Sequence, residues 1–409
     1  MSRVAETIRN WRQDGWPLVA ALSFAQLVSW GTIFYGFPLF VVSMETELGW
    51  GRGLLNGALS FGLLTAGFAA YPVGRIIDRH GGRLVMSLGS MLAVLLFAAW
   101  AWVDHPAAFY AIWFGLGLAQ AGTLYTPVFA VLTRMFPVDF KTRITVLTLT
   151  GGFASTVFTP LIAWAIEALG WRDALLLMAA CNLVFCLPVH GLLLRDRAVL
   201  PLEKPADAGR PESSHPVPSR PMHKALRNPV FWGLAVCFTF YLLAHAMLIF
   251  HFLPMLNEFG IPLVIAVAII TVIGPAQVGG RILLLFGRKM ETVTTGYVVM
   301  ALFVTAMLLL AAFPAAVPVL FVMAAIYGGA NGMMTILRGT SVPELLGREG
   351  FGAISGALVL PASIAAAIAP SLAALIWELT GGYAAVILTM LAAMLVSAAG
   401  FVFAVKARK

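Results

Sequence analysis

The sequence predicts an all-α integral membrane protein, with twelve transmembrane helices arranged as two six-helix bundles. Three observations predict it. First, 60% of the 409 residues are hydrophobic and only 11% are charged. Soluble domains carry roughly 25% charged residues, so a surface this poor in ions suits lipid and not water; the mean hydropathy of +0.92 agrees. Second, apolar runs of about 20 residues, the length a helix needs to cross hydrocarbon, recur along the chain on both sides of one polar interval. Third, the cations fall in short clusters between alternate runs.

The runs cover residues 18–44, 54–77, 84–103, 107–135, 144–169 and 174–194, then 230–256, 263–286, 293–313, 317–337, 352–377 and 383–405. The first is too long for a signal-peptide core of roughly 7–15 residues, and no small-residue cleavage site follows it; it is an uncleaved span. Before it, Val4, Ile8 and Trp11 are spaced for a short helix on the membrane surface. The interval between the two sets carries Pro201, Pro205, Pro211, Pro216, Pro218 and Pro221 among serines and charges, and reads as a flexible connection. The chain therefore divides into an N-terminal segment (1–17), an N-terminal bundle (18–194), a proline-rich linker (195–228), and a C-terminal bundle with a short tail (229–409).

Cytoplasmic loops are enriched in lysine and arginine. With the N-terminus in the cytoplasm, all of the 26 lysines and arginines except Arg52 and Arg172 fall on the cytoplasmic side. Miscounting one span would scramble that alternation, so both termini and the linker are expected in the cytoplasm. The net charge of +8 is thus a topological signal, and no nucleic-acid partner is expected. Cys181, Cys186 and Cys237 sit inside apolar runs and read as small buried hydrophobes.

The halves echo each other. Gly74-Arg75-Ile76-Ile77 closes the second run and Gly280-Arg281-Ile282-Leu283 closes the eighth, with Gly81 and Arg83 matched by Gly287 and Lys289. Glu47-Leu48-Gly49 is matched by Glu258-Phe259-Gly260, and Glu167 with Gly170-Trp171 by Glu378 with Gly382-Tyr383. Duplicated bundles of this kind place a site at the interface of the repeats.

The loop between runs two and three reads Gly74-Arg75-Ile76-Ile77-Asp78-Arg79-His80-Gly81-Gly82-Arg83. It resembles the signature loop of the major facilitator superfamily, G-x-x-x-D-R-x-G-x-R/K, and the twelve-span layout with a long central linker fits along the whole chain. The resemblance implies that fold and the transport of a small solute by alternating access. It also implies a gating role for Gly74, Asp78, Arg79, Gly81 and Arg83, with Asp78 latching the halves in the outward-open state. Two departures matter. The second-half echo has Leu284 in place of Asp78, and span four (Ala111-Ile112-Trp113-Phe114-Gly115-Leu116-Gly117) lacks the arginine usual in proton-coupled members.

The resemblance further implies that spans one, four, seven and ten line the central cavity. Those spans carry polar residues at helical steps: Gln26 and Trp30; Gln120 and Thr123; Tyr241 and His245; Tyr327, Asn331, Thr335 and Arg338. The span-ten set falls within roughly 80° of arc. These are the candidate substrate-binding residues. His245 is the ionisable group placed mid-span, where it either exchanges a proton or bonds a neighbouring helix; His251 lies about 240° round the helix from it. No Asp or Glu falls deep inside a predicted span, so coupling runs through His245, through solute exchange, or is absent.

A fainter resemblance, to the monocarboxylate and oxalate–formate branch, implies a small organic anion, held by Arg338, Arg281 or His245. Efflux of hydrophobic or amphipathic compounds, and a receptor or scaffold on the same fold, remain open alternatives. HExxH and GxSxG are absent and the seven histidines are scattered, so no enzyme, metal or cofactor is expected. The expected setting is a cell membrane (the inner one in a Gram-negative source), with the lipid bilayer and a small-molecule solute as partners of a monomer.

Overall fold

A helix satisfies its own backbone hydrogen bonds, which is what lets an apolar run lose water in hydrocarbon. The computed structural model describes residues 15–194, 221–286 and 291–408. Among them, twelve helices are long and apolar enough to cross a membrane. Spans one to six are Trp16–Leu48, Arg52–His80, Arg83–Ala101, Pro106–Met135, Phe140–Leu169 and Trp171–Leu193. Spans seven to twelve are Pro229–Glu258, Leu263–Phe286, Thr292–Ala312, Val317–Leu345, Phe351–Thr380 and Tyr383–Ala407. The expected surface helix around Val4, Ile8 and Trp11, the linker prolines up to Pro218, and Gly287 and Lys289 lie outside the described residues. Residues Pro221–Arg227 form a short helix, and the Asn228 side chain then caps span seven by accepting the Val230 N–H at 2.9 Å.

Several spans are broken where proline removes a donor. Span one passes through a π-helical turn, Trp30–Phe34, before Pro38. Span four is interrupted at Leu124, whose backbone is extended, three residues before Pro127. Span six carries two π-helical turns, Asn182–Cys186 and Val189–Leu193, flanking Pro188. Such turns cluster at functional sites.

The apolar core divides unequally. One cluster belongs wholly to the first six spans and includes Phe37, Phe40, Trp100, Trp113 and Phe158. The other fills the second six but also takes in Leu22, Ile77, Val128, Phe129, Phe140 and Ile144 of the first half. Those shared residues all lie toward the end where spans six and seven approach the linker, here called the linker face. The halves are therefore sealed together at the linker face. Spans two and eleven make the longest seam: a Cβ at Gly74 would overlap the Gly352 carbonyl, and a Cβ at Gly352 would lie 2.6 Å from the Gly74 oxygen. Only two glycines let the backbones approach so closely. At the opposite, far face, spans one and seven pack within their own halves.

The duplication reappears as geometry on the far face. Glu47, ending span one, accepts from the Trp171 indole at 2.5 Å and from Arg172 at 2.9 Å, both at the start of span six. Glu258, ending span seven, accepts from the Trp377 indole at 2.6 Å and from the Tyr383 backbone N–H at 2.8 Å, at the start of span twelve.

Candidate functional site

At the linker face the Asp78 carboxylate crosses between halves. Its two oxygens accept the backbone N–H groups of Gly352 (2.9 Å) and Ala353 (2.8 Å). Those are free amides in the first turn of span eleven, where a negative charge also meets the positive end of the helix dipole. Gly81 closes span two, its N–H bonding the Ile77 carbonyl at 2.9 Å. Arg134, a residue not picked out from the sequence, donates to the Ile77 and Asp78 carbonyls at 2.9 and 3.1 Å and so fixes the end that carries Asp78. Arg83 donates to the Gly191 carbonyl at 2.8 Å, inside the second π-helical turn of span six. Arg79 is exposed and lines, with Tyr71, Arg75 and His80, an open cleft of about 310 Å³ on the outer side of span two. A second inter-half tie, Lys141 to Glu344 at 2.8 Å, joins the start of span five to the end of span ten.

Gln26 and Thr123 meet, but in a packed setting. Pro127 cannot donate to the Thr123 carbonyl four residues back. Gln26, fully buried, fills that vacancy with its Nε2 at 2.6 Å, while the Thr123 hydroxyl bonds Ala119 O at 2.7 Å. Gln26 thus holds the break in span four, and Gln120 is buried beside it with its Nε2 unpartnered among the described residues. Leaving a buried carbonyl without a donor costs roughly 1–3 kcal/mol. Gln26→Leu is therefore expected to lower the thermal unfolding midpoint of the detergent-purified protein; an unchanged midpoint would remove this role.

In the second half the span-ten stripe faces span seven. Tyr241 donates to Asn331 Oδ1, and His245 Nδ1 shares a 2.6 Å hydrogen bond with the Tyr327 hydroxyl. The rings stack in series, Tyr241 on His245 at 5.6 Å and His245 on Tyr327 at 6.0 Å. Thr335 turns back to the Asn331 carbonyl at 3.3 Å. Arg338 lies 6.0 Å from the Phe238 ring, within electrostatic reach of Tyr241 and His245. His251 is elsewhere, bonded to the Tyr383 hydroxyl at 3.0 Å and Pro370 O at 2.9 Å.

The group that joins these surfaces is Arg281 of span eight. Its side chain is buried, at 5% exposure, and its guanidinium lies against Gly152 in the break of span five, where a Cβ would overlap it. The adjacent Gly151 makes room for the Tyr125 hydroxyl of span four, so the glycine pair brings Arg281 of the second half and Tyr125 of the first to one place. Arg281 has no carboxylate partner among the described residues, and its Nε has no hydrogen-bond partner. On the first-half side Trp30 packs on Tyr125 at 4.7 Å, and Trp30 Nε1 is likewise unpartnered among the described residues. Tyr35 and Tyr125 were not singled out in the sequence. The signal was the glycine pair Gly151-Gly152, which leaves room for the Tyr125 hydroxyl, 2.6 Å from a Cβ at Gly151, and for Arg281.

A family model of the Major Facilitator Superfamily matches residues 22–284. Among curated proteins, monocarboxylate transporter 13 of Rattus norvegicus is 28% identical over 390 residues, covering 91% of this chain and 84% of that protein. Monocarboxylate transporter 13 of Bos taurus is 26% identical over 389 residues, with the same two coverages. Among solved structures, the superfamily transporter FucP in its outward conformation aligns over 95% of this chain and 98% of its own, with a TM-score of 0.69 at 14% identity. The human organic anion transporter MFSD10 (TETRAN) aligns over 95% and 99%, with a TM-score of 0.66 at 18% identity.

Proposed function

Because the chain belongs to the major facilitator superfamily, whose members are transporters and not enzymes, we propose that it moves a small organic anion across the membrane by alternating access between its two halves. The observation that carries the reading is the buried Arg281 at the seam of the halves, which has no carboxylate partner among the described residues. An isolated buried charge is costly, and a carboxylate solute would compensate it in a charge-assisted, two-pronged hydrogen bond. Arg338 would hold a second anionic group or guide entry. The relatives named as monocarboxylate transporters support the class of solute.

The cation pattern supports a cytoplasmic linker face. With the seal at that face, the conformation corresponds to the outward-facing state, and the Asp78 contact and the Lys141–Glu344 pair are the inner gate. His245, in the Tyr241–His245–Tyr327 stack, is the candidate proton-exchanging group.

The test is saturable uptake of labelled lactate into proteoliposomes holding the purified protein, competed by unlabelled organic anions, sugars and amino acids. Competition confined to anions is the expected result; competition by neutral solutes alone would overturn it. Repeating the uptake across pH with His245→Gln tests coupling, since a proton site at His245 requires the variant's profile to flatten.

A further inference from the structure

Resting on that anion reading, we infer that the solute is an aromatic monocarboxylate, carried with its carboxylate on Arg281 and its ring against Trp30 and Tyr125. The two halves present unlike surfaces where Gly151 and Gly152 leave room for the Tyr125 hydroxyl and the Arg281 guanidinium. The second half supplies the guanidinium. The first half supplies a run of rings: Phe34 edge-on to Trp30 at 5.0 Å, Trp30 tilted on Tyr125 at 4.7 Å, and Tyr125 stacked on Phe129 at 5.3 Å, with Tyr35 6.1 Å from Trp30. These centroids stand at the 4.5–7 Å spacing at which aromatic pairs gain beyond their buried area. A planar solute ring continues the series; a saturated ring of equal bulk gains only burial.

The hydrogen-bonding capacity points the same way. Among the described residues Trp30 Nε1 and Arg281 Nε are donors without partners, and the adjacent glycines Gly151 and Gly152 bring the Tyr125 hydroxyl and the Arg281 guanidinium to one place. The site therefore offers donors beside a ring surface, the complement of a carboxylate attached directly to an arene. The competing solute is a small dicarboxylate that would also engage Arg338, the second guanidinium, 6.0 Å from the Phe238 ring of span seven.

Counterflow into proteoliposomes, run in turn with labelled benzoate, cyclohexanecarboxylate, lactate and oxalate, separates these. Benzoate is expected to half-saturate at a concentration roughly three- to tenfold below cyclohexanecarboxylate, the share that ring stacking contributes, and below lactate and oxalate. In Trp30→Leu the ratio of the benzoate to the cyclohexanecarboxylate constant should approach unity. Equal constants for the two ring acids in the unmodified protein, or a preference for oxalate or lactate, would overturn the aromatic inference while leaving the anion reading in place. Counterflow of none of the four acids would end both.

Discussion

Replacing Asp78 with asparagine is expected to cut solute flux by roughly tenfold or more while leaving the amount of protein in the membrane unchanged. The carboxylate offers an acceptor to each of two backbone donors, Gly352 and Ala353. An asparagine side chain keeps one acceptor and turns an NH2 group toward the other N–H. The variant loses one hydrogen bond and the charge that meets the helix dipole. Hydrogen bonds to charged groups contribute about 1.5–3 kcal/mol and a helix-terminal charge about 0.3–1 kcal/mol. A loss of about 2–3 kcal/mol from one state shifts a two-state equilibrium by roughly 30- to 150-fold. The carrier would then dwell open at the linker face, and the cycle would slow at the return step. Hydrogen–deuterium exchange gives a second readout, because one of the Gly352 and Ala353 amides loses its acceptor and both should exchange faster as the weakened seam opens. Normal flux with unchanged exchange would remove Asp78 from the gate. Lys141–Glu344 is a partly exposed pair and contributes far less to the seal.

Much of this arrangement was legible in the sequence because the bilayer simplifies the problem. Twenty apolar residues in a row have few folded outcomes, and the alternation of cations fixed the count of spans before any packing was considered. The Asp78 loop was legible through its resemblance to the superfamily's signature loop, in which glycines at 74 and 81 bracket a single acid at a helix end. The meeting of span seven with span ten was implied by the family resemblance, and the polar groups at helical steps named the side chains that make it.

What could not be read was depth and partnership. Gln26 and Thr123 looked like part of a cavity stripe, yet the missing N–H of Pro127 draws Gln26 into a backbone repair between spans one and four. Spacing alone does not distinguish a side chain that waits for solute from one that completes a broken helix. Arg281 was a candidate anion partner from the sequence, but its depth could not be read there. It stands five residues before the end of its helix, where an arginine ordinarily snorkels to headgroups. Only the approach of Gly152 from the other half reveals that the guanidinium turns inward. That contact depends on how the halves dock, which no local pattern encodes.

The second large effect follows from Arg281. Arg281→Gln is expected to raise the half-saturating concentration of the transported anion by roughly 10- to 150-fold, the loss of a charged hydrogen-bonding partner. In the ligand-free protein the same change should leave the thermal midpoint unchanged or raise it, because a buried cation without a counter-ion is a burden on the empty fold. An arginine kept for structure would behave oppositely: removing it would lower the midpoint and weaken every solute in equal measure. Arg281→Lys keeps the charge but not the planar fork, and should recover only part of the affinity. Gly152→Ala tests placement without touching the charge. Its new Cβ collides with the guanidinium, which must leave its present place to yield, so affinity should fall although every donor remains. Full affinity in Gly152→Ala together with a destabilised Arg281→Gln would return Arg281 to the scaffold and leave the anion without its principal partner.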